Sequence, residues 1–165
     1  MMATTRSGPA VVTLPADTQI LITREFAAPK PLVYRAYTTP ALIKRWWAGK
    51  RGQVTSAEVD LRVGGRWRYV MRTPAGHEVA FHGDFREIVP NERIVTTEVY
   101  EGAPESADGD VVNVVTFAES AGGTTLTILA DCPTKEIRDM IIESGMEGGM
   151  QEGMDLLEEV ARSLR

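Results

Sequence analysis

The side chains of this chain that could carry acid–base chemistry are few, and most fall in strand-like segments. In VAFHGDFR, His82 and Asp84 stand two residues apart on one side of an alternating run, where imidazole and carboxylate could share a proton. The same alternation sets them opposite Phe81, Gly83 and Phe85, so the pair is expected on a solvated face. Glu98 and Tyr100 alternate with Val95, Thr97 and Val99, and the pattern leaves their facing open. If Glu98 points inward, desolvation raises its pKa and makes it the best general-base candidate. His77 and His82 stand on or beside one turn and lack partner ligands at a suitable spacing, so no metal site is expected. Cys132, the only cysteine, has no histidine near it in sequence and reads as a small core-filling thiol. There is no GxSxG elbow, Walker loop or dinucleotide fingerprint. GMEGGM lies within a helical stretch rather than between strand and helix, which is the wrong place to cradle phosphate. No catalytic residue and no cofactor are expected, and whether the chain is an enzyme stays open.

These residues must be positioned by a chain of 165 residues with 43% hydrophobic and 25% charged content, enough for one domain with its own core. The formal net charge of −5, without a run of Lys or Arg, disfavours nucleic acid as a partner. A single cysteine excludes an intrachain disulfide. No apolar run approaches the roughly 20 residues of a membrane helix. The opening MMATTRSGPAVVTLPADT is interrupted by Pro9 and Pro15 before a signal-peptide core can form. Residues 1–18 read as a mobile arm, with a short pairing segment at Val11–Leu14, ahead of one domain over 19–165; a soluble, cytoplasmic protein is expected.

QILITREFAA (19–28) alternates as a strand. PKPLVYRAYT and PALIKRWWAG then read as two short helices opened by prolines and stopped by Gly49 and Gly52. Six further strands are expected over 53–62, 65–73, 78–89, 92–101, 110–119 and 124–132. Their short turn-like separators favour antiparallel neighbours, because a parallel crossover takes about a dozen residues or more. APESADG (103–109) is the longest and most polar of these loops. A six- to seven-stranded antiparallel sheet followed by a long helix is an α+β architecture.

The last segment is helical in pattern, with Thr134 as N-cap. At about 100° per residue, Ile137, Met140 and Ile141 share one face, whereas Met146, Met150, Met154, Leu157 and Ala161 share a face turned by about half a turn. One straight helix cannot bury both sets, so a break is expected at Ser144–Gly145. Gly145, Gly149 and Gly153 form a strip at i, i+4 spacing beside the methionine strip. Two readings stand: the glycines let the helix backbone approach the sheet, or they leave room for a guest that adaptable methionines line.

The strands supply the other wall. Trp67, Tyr69 and Met71 alternate against Arg66, Arg68 and Arg72; Phe81, Gly83 and Phe85 against His82, Asp84 and Arg86; Asn113, Val115 and Phe117 share a face, as do Leu126, Ile128 and Ala130. Gly83 is expected to leave a gap in the wall. Tyr69 and Asn113 are polar groups on an apolar surface and need partners, from a ligand, water or the helix backbone. Trp46 and Trp47 end the second short helix, either at a cavity mouth or as anchors of that helix to the sheet. The expected ligand-contacting set is Trp47, Trp67, Tyr69, Met71, Phe81, Phe85, Asn113, Phe117, Met146, Met150 and Met154.

ITREFAAPKPLVYRAYTTPALIKRWWAG, DLRVGGRWRYVM, GDFREIVPNERIVTTE, VTFAESAGGTTLTI and SGMEGGMQEGMDLLEEV, in that order over residues 19–164, resemble the SRPBCC (START-like) superfamily. More narrowly they resemble bacterial homologues of the C-terminal domain of the heat-shock-protein-90 ATPase activator. The resemblance implies a helix-grip fold, a curved antiparallel sheet around a long C-terminal helix with an apolar cavity between them. It does not fix function, since the fold hosts lipid binders, polyketide cyclases and co-chaperones. Three roles follow as expectations. One is binding of a small hydrophobic or aromatic molecule in the cavity. The second is a cyclase or lyase using that cavity as a reaction vessel. The third is a co-chaperone docking a chaperone ATPase on the Arg66/Arg68/Arg72 face. An exposed strand edge also offers a route to a homodimer.

Overall fold

The computed structural model describes residues 9–102 and 109–165. The first eight residues of the expected arm and most of the expected 103–109 loop lie outside the described residues. Alternating apolar and charged residues, punctuated by Gly, Pro and Asn, fold into eight strands. They are β1 (Val11–Thr13), β2 (Gln19–Phe26), β3 (Gln53–Val59), β4 (Arg66–Arg72), β5 (Glu78–Val89), β6 (Arg93–Tyr100), β7 (Val111–Ser120) and β8 (Gly123–Asp131). The eighth strand beyond the expected count is β1, the short pairing segment, which lies antiparallel to β2 from Val11↔Thr23 to Thr13↔Leu21. All strands join one antiparallel sheet in the order β1-β2-β8-β7-β6-β5-β4-β3. Tight turns enforce the antiparallel links. At Pro90–Asn91 the connection turns through Asn91 at φ 64, a left-handed conformation that Asn tolerates better than most residues.

Consecutive β2 and β3 sit at opposite sides of this order, so the chain must cross the sheet between them. α1 (Lys30–Thr38) and α2 (Pro40–Ile43) make that crossing. α2 is shorter than PALIKRWWAG suggested. After Ile43 the chain continues as turns, with Trp46 N donating to Ile43 O at 3.2 Å and Gly49 N to Trp46 O at 3.0 Å. A tertiary contact takes over there: the Trp46 indole is buried and its Nε1 donates to Ala36 O of α1 at 2.9 Å.

The C-terminal segment breaks where its apolar phase slips. α3 (Lys135–Glu143) starts at Thr134, whose hydroxyl accepts from Ile137 N at 3.1 Å. Gly145 then adopts φ 82, a conformation that glycine reaches without a Cβ clash, and α4 (Met146–Ser163) departs in a new direction. α4 buries Met154, Leu157, Val160 and Ala161. The face assigned to α3 needs correction, because Met140 is 65% exposed while Arg138 is buried. Arg138 explains the rotation: its Nη1 donates to Ala16 O at 2.9 Å and its Nη2 reaches Asp139 at 2.9 Å, which turns this side of α3 toward the residues before β2.

The core lies between the inner sheet face and the helices, with Ile20, Phe26, Ile94, Phe117, Leu126 and Leu157 almost wholly excluded from solvent. A charged side chain joins them. Arg24, 2% exposed on the inner face of β2, meets Asp155 at 2.8 Å and Glu158 at 3.5 Å on α4. Glu158 in turn accepts from Ala27 N at 2.6 Å. This clamp fixes the C-terminal half of α4 on the sheet, while its glycine- and methionine-rich first half extends over the rest of the inner face. The fold is the α+β helix grip, with eight strands.

Candidate functional site

Under that first half of α4 the sheet and helix do not close completely. A cavity of about 330 Å³ remains, in the size range of small-molecule sites. Its helix wall is Met146, Gly149, Met150, Gly153 and Met154. The sheet wall includes Trp67 and Tyr69 of β4, Phe85 of β5, Asn113 and Val115 of β7, and Ile128 and Ala130 of β8. All three tryptophans of the chain, Trp46, Trp47 and Trp67, border it.

Of the expected contact set, Trp47, Trp67, Tyr69, Phe85, Asn113, Met146, Met150 and Met154 lie on this cavity, whereas Met71, Phe81 and Phe117 do not. Each exclusion has a local cause. Phe117 is 1% exposed and lies edge-on to Tyr34 and Tyr37 at 5.3 and 5.6 Å, so α1 roofs it over. Phe81 packs between Trp47 and Tyr100, at 5.3 and 5.2 Å between ring centres, and stands behind Trp47. Met71 reaches over Gly52, where an added Cβ would come within 2.7 Å of its Cε. It thus fills the junction with the start of β3. Alternation had assigned each of the three its strand face; depth along the strand decided the rest.

The glycines also separate into roles. A Cβ on Gly153 would lie 3.2 Å from Trp46 O and 3.7 Å from Trp47 O, so here the missing side chain permits close approach of α4 to the turns after α2. At Gly149 the nearest atom to an added Cβ is Arg51 Cδ at 4.0 Å, which leaves the position uncrowded. Gly83 leaves no gap. A side chain there would overlap the Thr97 carbonyl and come within 2.7 Å of Trp67 Nε1. Its absence lets Trp67 Nε1 donate to Thr97 O at 3.1 Å, which pins the indole against the sheet.

The polar residues of the cavity are concentrated on β6 and its surroundings. Glu98 faces inward, a facing its sequence neighbours could not reveal, and borders the cavity with Thr96, Tyr37 and Thr38. Asn113 Nδ2 on β7 donates to Glu98 Oε1 at 2.7 Å. Burial pushes the Glu98 carboxyl above its ordinary pKa, and the Asn113 hydrogen bond only partly offsets this. The Tyr37 and Tyr69 phenols are pushed upward, both chiefly by burial, with the Glu98 charge adding to each and Tyr37 also acting on Tyr69. Tyr37 was missed in the sequence, although Val33, Tyr34 and Tyr37 repeat at helical spacing along α1 and mark its inner face.

His82 and Asp84 stay on the outer face and do not pair. His82 Nδ1 lies 2.8 Å from Glu101, and Asp84 lies 3.4 Å from Arg66. Arg68 meets Glu101 through two bonds of 2.8 and 2.9 Å. These bonds, from Arg68 first and then His82, hold the Glu101 carboxyl down at about 2. Of the β4 arginines on this face, Arg66 and Arg68 are thus paired within the chain. Among the described residues no group of three or more His, Cys, Asp or Glu could hold a metal ion, and no helix is long and apolar enough to cross a membrane.

The fold recurs in solved structures. A protein from Rhodobacter sphaeroides matches with a TM-score of 0.84 at 26% identity, covering 94% of this chain and 99% of that one. A protein from Nitrosomonas europaea matches at 0.81 and 29% identity over 91% and 97% of the two chains. One from Chromobacterium violaceum matches at 0.76 and 28% over 88% and 98%. No curated protein matches the sequence. The profile of the family described as Activator of Hsp90 ATPase homolog 1-like protein spans residues 27–162, from the end of β2 almost to the end of α4, and this chain belongs to that family.

Proposed function

We propose that this protein binds a small, largely apolar, ring-bearing molecule in the cavity between α4 and the sheet. The observation that carries the reading is the cavity itself, about 330 Å³ left open beneath a helix whose second half buries Leu157, Val160 and Ala161. Three tryptophans, two tyrosines and three methionines around it offer ring faces and adaptable thioethers, suited to a guest of that kind. The test is direct. Tryptophan fluorescence is followed while small aromatic and lipid-like compounds are titrated into the protein and into Ala130→Leu, whose added bulk points into the cavity. Saturable quenching that Ala130→Leu weakens supports the reading, provided the variant's thermal midpoint is preserved. No saturable quenching across the panel sinks it.

A cyclase or lyase using the same cavity is the second reading, favoured by one observation: Glu98, an ionisable group, lies inside. On that reading Glu98→Gln or Tyr69→Phe abolishes turnover of a bound substrate while leaving its binding intact. A co-chaperone role would need the outer sheet face, where Arg66 and Arg68 are already engaged by Asp84 and Glu101. Its test is whether the protein stimulates a chaperone ATPase, and whether reversing Arg72 abolishes that stimulation.

A further inference from the structure

The cavity is not uniformly greasy, and its polar part has one electrostatic sign. Glu98 is the one carboxylic acid among the lining residues, and no Lys, Arg or His is among them. Its Oε1 is held by Asn113 Nδ2 at 2.7 Å. Among the described residues, neither its Oε2 nor the hydroxyls of Tyr37 and Tyr69 has a hydrogen-bond partner. None of these oxygens is sealed in protein, because no fully buried side-chain N or O atom of the described residues lacks a partner. They therefore open onto the cavity. The rings that carry the phenols are fixed: Tyr37 stacks on Trp46 at 5.4 Å, and Tyr69 lies against Trp67 at 4.7 Å and Trp47 at 5.3 Å.

A buried carboxyl without a cation is costly in its charged form and is normally satisfied by an opposite charge. Aromatic faces gathered round a carboxyl are also the setting in which an ammonium group is held by cation–π attraction and an ion pair together. An anionic end such as a fatty-acid carboxylate finds no counter-charge here. We propose that the ligand is a protonated amine on an apolar or aromatic body, its ammonium seated on Glu98 between Tyr37 and Tyr69. This deepens the cavity-binding reading and rests on it.

Binding such a cation would draw Glu98 into its carboxylate form. The groups facing Glu98 are Tyr37 from α1, Tyr69 from β4 and Asn113 from β7. Cys132, just after β8, also feels its charge, and its thiol is raised chiefly by burial. β2, β3, β5, α3 and α4 add no titratable side chain to the lining. Glu98 is thus the lining group whose ionisation the ammonium favours.

The test uses three soluble probes on one skeleton, 4-phenylbutylamine, 4-phenylbutanol and 4-phenylbutyrate, titrated calorimetrically into the full chain. The amine is expected to bind about tenfold or more tighter than the alcohol, the scale of a hydrogen bond to a charged group, and the carboxylate weakest. The amine's affinity should rise with pH as Glu98 ionises, over a range that burial shifts above the ordinary carboxylate one, and the alcohol's should not. Glu98→Gln, nearly isosteric, should remove the amine's advantage over the alcohol and its pH dependence. If the alcohol binds as tightly as the amine, or if Glu98→Gln keeps the preference, the amine assignment is overturned and the cavity reading stands. If none of the three binds, both are overturned.

Discussion

Alanine substitutions at three glycines near the break test whether the missing side chains do the separate jobs assigned to them. In a helix interior alanine is favoured over glycine by about 0.5–1 kcal/mol. At Gly149 an added Cβ meets nothing closer than 4.0 Å, so Gly149→Ala should realise that gain. For a chain of this size 1 kcal/mol corresponds to about 2–4 °C in thermal midpoint, which predicts a rise of about 1–4 °C. At Gly153 the Cβ would sit 3.2 Å from Trp46 O, and that carbonyl is already held by Gly49 N at 3.0 Å. It cannot swing aside cheaply, so α4 must lift and loosen the packing of Met154 and Leu157, which offsets the propensity gain. Gly153→Ala should leave the midpoint unchanged or lower it. Gly145→Ala must hold an alanine at φ 82, costing about 1–2 kcal/mol, and should lower it by about 2–8 °C. Thermal unfolding followed by circular dichroism, all variants in one buffer, reads the three directly. Equal rises at Gly149 and Gly153 would refute the close-approach argument, and a neutral Gly145→Ala would refute the assigned backbone strain.

Three further outcomes follow. Burial raises the Glu98 carboxyl, so as pH climbs above 4.5 the unfolded chain releases this proton before the native one and stability falls through that window. The stability of Glu98→Gln relative to the native sequence should therefore grow with pH from about 4.5 and then level off, as measured by urea denaturation; a pH-independent difference would contradict the burial of Glu98. Arg24→Ala leaves the exposed Asp155 to solvent and takes the guanidinium away from buried Glu158, and should cost about 1–3 kcal/mol in the same denaturation assay, whereas an unchanged stability would mean that Arg24 does not clamp α4. Gly83→Ala drives a Cβ into the Thr97 carbonyl and should cost about 1–3 kcal/mol with a shift in tryptophan emission, since Trp67 loses its seat; a silent substitution would restore the reading of Gly83 as a gap.

Local pattern was enough for the order of elements, the antiparallel sheet, the N-cap at Thr134 and the break at Ser144–Gly145. Period-two alternation, turn residues and the half-turn slip of apolar phase are all written within a few neighbouring positions. Only the assembled fold decided which ring on a correctly assigned face borders the cavity. Phe117 is covered by α1, which lies about 80 residues earlier in the chain, and Phe81 stands behind Trp47. It also decided that Glu98 faces inward, that Gly83 is filled by a neighbouring strand's carbonyl, and that Trp46 ends α2 by binding Ala36. Register irregularities between Val54 and Ser56 and between Phe85 and Glu87 reset the alternation in ways no window of sequence displays. A face is a property of a strand, whereas a cavity is a property of what fails to meet across it, and that is settled only when distant segments pack.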